Sequence, residues 1–209
     1  MTKFLVVFDV DSTLIEQEAI ELLAAYSKSA ELVQEITDRA MRGEIDFNQS
    51  LIERVATLAG LPDSVLAEVS KQLTLTKGAK ELVRGIHERG GKAAAVSGGF
   101  IQLLDPIRTE LKLDFAAANT LGVSAGQLTG RVEGEIVNRQ AKADYLQQWA
   151  NQEGLELSKT IAVGDGANDL GMMAIAGLSV AFCAKPIVNQ KADIALRERD
   201  LAQLIELLP

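Results

Sequence analysis

The chain has 209 residues, 47% of them hydrophobic, enough to bury a core as one domain or as one domain carrying a smaller insertion. Its formal net charge of −8 disfavours nucleic acid and anionic membrane surfaces as partners, so an anionic ligand needs a locally positive site. The single cysteine, Cys183, excludes an internal disulfide, no Cys/His grouping has the spacing of a zinc site, and neither a secretory leader nor a run near the roughly 20 apolar residues of a membrane span is present. The expectation is a soluble, cytoplasmic protein.

In chain order, the apolar run Phe4–Phe8 stops at Asp9-Val10-Asp11-Ser12-Thr13, as a central strand of a parallel sheet does at its exit. From Ile15 to Leu73 the apolar spacing is helical, with breaks near Gly43 and Gly60-Leu61-Pro62 and no convincing strand. The acidic excess concentrates there: Leu14 to Thr76 holds eleven acidic and five basic residues. A helix over Ala79–Glu88 leads to a second apolar run, Ala93–Val96, which ends at Ser97-Gly98-Gly99. Phe115–Val132 reads as two short strands around Ser124-Ala125-Gly126, a hairpin. Helical patterns at Lys142–Gln152, Asp169–Ala176 and Leu201–Leu208 alternate with runs at Ile161–Val163, ending at Gly164-Asp165-Gly166, and at Leu178–Phe182.

This alternation predicts a doubly wound, Rossmann-like α/β sheet, with residues 1–14 and 76–209 as the core and residues 15–75 as an inserted helical cap. Ligands of such sheets bind beyond the carboxyl ends of the strands, where the polar clusters lie. Asp9 and Asp11, two residues apart at a strand exit, can supply a nucleophile and an acid/base group, while Ser12 or Thr13 caps the next helix. Ser97-Gly98-Gly99 offers a hydroxyl and unhindered N–H groups, the materials of a phosphate nest. Lys142 supplies a point charge, and Gly164-Asp165-Gly166-Ala167-Asn168-Asp169 supplies two carboxylates and an amide. Singly, each has a bland alternative: a capped turn, a solvated lysine. Together, so many carboxylates at one sheet edge call for a cation, and Mg²⁺ takes oxygen ligands of this kind.

In order along the chain, DVDST, VSGG, Lys142 and GDGAND match the four motifs of the haloacid dehalogenase superfamily, and with AMRGEIDFNQSLIERV and AFCAKP the whole chain resembles its phosphoserine-phosphatase branch. The resemblance implies Mg²⁺-dependent hydrolysis of O-phospho-L-serine to L-serine and phosphate, the last step of serine biosynthesis. It implies that Asp9 attacks phosphorus, forming an aspartyl-phosphate, and that Asp11 protonates the leaving oxygen and later deprotonates water. Asp9, the Asp11 carbonyl and Asp165 would bind the metal, with Asp169 supporting that shell. Ser97, Gly98, Lys142 and Asn168 would hold the phosphate. In the cap, Glu18 would take the substrate ammonium, Arg54 its carboxylate, and Met41 and Phe47 would seal the pocket.

The cap residues also have a plainer reading, since charged residues on amphipathic helices are usually solvated and Met41 or Phe47 would serve as cap core. Two alternatives to the phosphoserine hydrolase stay open: a phosphatase or phosphotransferase of the same superfamily acting on another small ester, and a catalytically silent module that binds phosphorylated metabolites. The partner in each case is a small molecule, and the chain would be a monomer or homodimer. Thr76-Lys77-Gly78 departs from relatives, which commonly carry Pro before the Gly. His87 reads as surface, Cys183 as a buried strand end and Trp149 as packing for the Lys142 helix.

Overall fold

The structure, a computed structural model, describes residues 1–209 apart from the side chain of Met41. The FLVVF run forms strand β1 (Leu5–Phe8), buried along its whole length. It lies at the centre of a seven-stranded sheet of order β4-β3-β2-β1-β5-β6-β7. Its parallel neighbours are β2 (Lys92–Phe100) and β5 (Thr160–Gly164), and outward from β5 follow β6 (Leu178–Phe182) and β7 (Ile194–Leu196). On the other flank β3 (Phe115–Ser124) plays two parts: its first half pairs parallel with β2, and its second half turns back as a hairpin with β4 (Gln127–Glu133).

Side chains alternate across a strand, and β1 divides accordingly. Val6 and Phe8 enter a core shared with Leu82 and Ile86 of α5 (Ala79–Glu88) and Leu104 and Ile107 of α6 (Ile101–Leu111). Leu5 and Val7 enter the opposite core, with Leu146 and Trp149 of α7 (Arg139–Gln152) and Met172 of α8 (Leu170–Ile175). Helices therefore cover both faces, which is why the central strands are apolar on both sides. A last short helix, α9, spans Pro186–Asn189.

Between β1 and α5 run four helices: α1 (Ala19–Ser27), α2 (Ala30–Met41), α3 (Phe47–Ala56) and α4 (Val65–Ser70). Their apolar faces form a third core that includes Leu23, Leu51, Val55, Leu58 and Val69, closed from the sheet side by Leu103 and Leu128. The two chain crossings pair with each other through an Ile15↔Leu75 bridge, with Thr76 donating its N–H to the Leu14 carbonyl (2.9 Å) and Glu16 to that of Thr74 (2.9 Å).

Some expectations are corrected. Leu201–Leu207 is a 3₁₀ helix rather than an α-helix, opened by Asp200 accepting from the Ala202 N–H and burying Leu201 and Leu204 three residues apart. The sequence patterns did not mark α6, whose interior Pro106 reads as a breaker, or the three-residue β7. His87 is not bare surface but sits 2.9 Å from Asp114. Cys183 is only half-buried and has φ 46. Trp149 does pack within its helix, against Tyr145, and stacks on Phe115 of β3.

Candidate active site

The exits of β1, β2 and β5 meet α1, α2 and α3 around one cavity of about 740 Å³, within the roughly 300–1,000 Å³ usual for small-molecule sites. Asp9, Asp11, Gly98, Asp165 and Asn168 line it from the sheet, and Glu18, Phe47 and Arg54 from the helices. Every residue predicted for the site falls here or directly behind it, apart from Met41, whose side chain lies outside the described residues. Ser97 and Lys142 are buried behind the wall.

Asp9 follows β1 directly with extended backbone (φ −68, ψ 164), and its Oδ1 accepts from the Val10 N–H and from Lys142 Nζ, both at 2.7 Å. Among the described residues Oδ2 takes no hydrogen bond and stays available to the cavity. Lys142, fully buried, also donates to Asp169 Oδ1 at 2.6 Å. Burial would lower its pKa, but the charges of Asp169 and Asp9 outweigh that and hold the ammonium above its ordinary value. The other Asp169 oxygen accepts from the backbone N–H groups of Asp165 (3.1 Å) and Gly166 (2.9 Å), so Asp169 shapes the loop that carries Asp165. A Cβ on Gly164 would collide with the Asp169 carboxylate, which explains the glycine. Thr13 Oγ1 donates to Asp165 Oδ1 at 3.3 Å.

Carboxylate oxygens of Asp9, Asp165 and Asp169 can lie within 4.8 Å of one another. Burial first, then the Asp169 charge, pushes the Asp9 carboxyl well above the usual range despite Lys142. The same causes raise Asp165 to about 6, against Lys185 and Lys142. Lys142 and Lys185 thus leave these carboxylates under-compensated, and a divalent cation on Asp9 and Asp165 fits the deficit. Asp169 is already committed to Lys142 and two backbone donors, a supporting rather than ligating geometry.

Asp11 Oδ1 accepts from the Ala19 N–H (2.7 Å), and Oδ2 from the Ser97 hydroxyl (3.1 Å). Burial raises its pKa, with those two hydrogen bonds opposing. The Gly99 N–H donates to Ser97 Oγ (2.8 Å), and a Cβ at Gly99 would stand 2.7 Å from Asp11 Oδ2. Across the cavity, Glu18 is exposed on the wall and accepts from the Ser12 hydroxyl at 2.7 Å. Loss of solvation against the wall and then the Asp11 charge push its carboxyl up to about 7. Burial lowers the Arg54 pKa, the charges of Glu18 and Asp11 opposing, and its Nε donates to the Ser50 carbonyl at 3.2 Å. Phe47 lies over the glycine loop: a Cβ at Gly98 would come within 2.9 Å of its ring. Sequence reasoning missed Arg139 and Lys185, two cations on the cavity rim whose only signal was their nearness to Lys142 and to the AFCAKP ending.

The family model of haloacid dehalogenase-like hydrolases matches residues 6–174. A phosphoserine phosphatase of Streptococcus thermophilus is 52% identical over 206 residues, covering 99% of this chain and 96% of its own length. Two solved structures, one of a phospho-aspartyl intermediate analogue of phosphoserine phosphatase and one of a substrate-bound phosphoserine phosphatase, each superpose with TM-score 0.94 at 44% identity over the full length of both chains. The chain belongs to the haloacid dehalogenase-like hydrolases, on the branch that holds the phosphoserine phosphatases.

Proposed function

We propose that this protein is a Mg²⁺-dependent phosphatase that cleaves O-phospho-L-serine to L-serine and phosphate, completing serine biosynthesis. The observation that carries the reading is the cavity itself, which holds a free carboxylate oxygen, a second carboxylate beside a hydroxyl, and an anionic and a cationic side chain on the opposite wall. Phosphoserine has a phosphate, an ammonium and a carboxylate to match.

Asp9 Oδ2 attacks phosphorus as the P–O bond to serine breaks, giving an acyl phosphate on Asp9 and a leaving alkoxide that takes a proton from Asp11. In the second half a water attacks the phosphorus, Asp11 recovers the proton, and the P–O bond to Asp9 breaks to release phosphate. Asp11 must be protonated at the outset, and burial favours that. Ser97 assists by turning its hydroxyl proton from Asp11 to a phosphoryl oxygen. The Gly98 backbone and Asn168 complete the hold on the phosphate, and Lys142 keeps Asp9 and Asp169 in place while adding positive charge behind the transferring group. Asp9, Asp165 and the Asp11 carbonyl would hold Mg²⁺, which supplies charge neutralisation for the phosphoryl oxygens. Glu18 takes the ammonium and Arg54 the carboxylate, with Met41 and Phe47 closing over them. Residues 15–75 act as a cap on the core formed by residues 1–14 and 76–209, hinged where Ile15 and Leu75 pair, and exclude water during the first step.

Phosphate release from O-phospho-L-serine, with Mg²⁺, with EDTA and in Asp9→Asn, tests this reading against p-nitrophenyl phosphate and sugar phosphates. Metal-dependent turnover of phosphoserine that vanishes in the variant is expected. Turnover of the other esters alone would remove the roles given to Glu18 and Arg54.

A further inference from the structure

β2 and β3 pair in register through Val96↔Ala117 and again at Phe100↔Asn119, and between these points the register shifts. The break falls on Ser97-Gly98-Gly99, whose backbone groups are thereby freed from the regular ladder. Asn119, 1% exposed, takes up one of them: its Nδ2 donates to the Gly98 carbonyl at 2.8 Å. Its Oδ1 accepts from the Val137 N–H, also at 2.8 Å. The amide is satisfied at both ends by protein groups, and it does not line the cavity.

In a trans peptide the carbonyl and the N–H point in opposite directions. Anchoring the Gly98 carbonyl on Asn119 therefore sends the Gly99 N–H the other way, onto Ser97 Oγ at 2.8 Å. The Ser97 hydroxyl, its oxygen held by that N–H, directs its own proton at Asp11 Oδ2, 3.1 Å away. The second arm fixes Val137, beside Asn138, whose side chain caps α7 by accepting from the Gln140 and Ala141 N–H groups one residue ahead of Lys142.

We propose that Asn119 is a positioning residue for phosphoryl transfer, fixing the Ser97 hydroxyl through the Gly98-Gly99 peptide. The inference rests on the phosphatase reading above, in which Ser97 serves Asp11 and then the phosphate. Only an amide fits: aspartate would set a carboxylate against the Gly98 carbonyl while keeping the acceptor for Val137, and leucine would fill the volume while making neither bond.

The test is a double-mutant cycle on kcat and KM for O-phospho-L-serine with Mg²⁺, using Asn119→Leu, Ser97→Ala and the double variant, with melting temperatures recorded. Residues that support a functional group from behind typically contribute about 10–100-fold, and Asn119→Leu is expected to lower kcat by that amount. In the Ser97→Ala background the same change is expected to cost no more than about threefold, because the group it positions is already gone. A merely structural role gives equal losses in both backgrounds, and equal losses would overturn the proposal. Asn119→Asp retains the acceptor for Val137, so near wild-type kcat in that variant would also overturn it. If Asn119→Leu does not fold, Asn119→Ser carries the same cycle. Wild-type protein that ignores phosphoserine but cleaves p-nitrophenyl phosphate would refute the substrate reading alone, and the cycle is then read with that ester.

Discussion

The two walls of the cavity are built differently. On the sheet side nearly every polar group already has a partner: Lys142 joins Asp9 to Asp169, Asp169 holds the Asp165 loop, and Asn119, Gly99 and Ser97 lead to Asp11. On the helix side Glu18 has one hydroxyl donor and Arg54 one backbone acceptor, which leaves most of their hydrogen-bonding capacity free. The contrast teaches where each kind of work is done. Groups that meet the developing charge of phosphoryl transfer are fixed in advance, so no reorganisation is needed during reaction. In the proposed function, Glu18 and Arg54 are the groups that choose the substrate, and their free capacity is kept for its ammonium and carboxylate.

The largest effect should come from breaking the prearranged wall. Lys142→Met leaves the buried carboxylates of Asp9 and Asp169 without their counter-ion, and removing one partner of such a pair costs on the order of 3–5 kcal/mol. Phosphate release should fall by roughly 10²–10³-fold, as for other lost electrostatic stabilisers. Without the lysine the Asp9 pKa in the folded state, already raised, rises further, so the folded protein binds more protons than the unfolded chain above pH 4. Its stability therefore grows as pH falls toward 5 in urea titrations without metal, whereas a Lys142 that only decorated the surface would leave these curves unchanged.

On the selective wall the effect is smaller and confined to one substrate. Arg54→Ala should raise KM for phosphoserine by about 10–100-fold, the worth of a charged hydrogen bond, while changing phosphoethanolamine turnover little. Equal losses for both esters would mean that Arg54 props the helices rather than reads the carboxylate.

The smallest effect is one of pH. Glu18 must be ionised to pair with an ammonium, and in the free site its pKa stands at about 7. The kcat/KM for phosphoserine, taken as a ratio to an ester without an ammonium so that phosphate ionisation cancels, should decline below about pH 7 toward tenfold per unit. Bound ammonium lowers that pKa, so the kcat ratio should hold to lower pH. Glu18→Gln should flatten the kcat/KM ratio; a slope that survives the substitution would assign the titration elsewhere.

The prearranged wall was largely legible in the sequence, because its residues sit at the ends of apolar runs, and β1, β2 and β5 are short enough to fix where those runs stop. Asp9, Ser97 and Asp165 follow from that alone. What escaped was non-local. Asn119 lies within an apolar strand and matters only because β2 breaks register opposite it, a fact of pairing rather than of pattern. Lys142 was expected on the phosphate as a point charge, but its pairing with two carboxylates, 133 and 27 residues away in the chain, could not be read from its place at a helix start. The helix 101–111 hid behind Pro106, and the third core joins Leu103 and Leu128 to helices that the sequence presented as a separate insertion.

In the proposed reaction the phosphoryl group passes through Asp9. The most direct measurement is rapid acid quenching of the protein with ³²P-labelled phosphoserine and Mg²⁺, followed by peptide mapping and hydroxylamine treatment. Label is expected on the peptide containing Asp9, released by hydroxylamine as an acyl phosphate is, and absent in Asp9→Asn. Steady turnover with no labelled protein at any quench time, or label retained in Asp9→Asn, would contradict it.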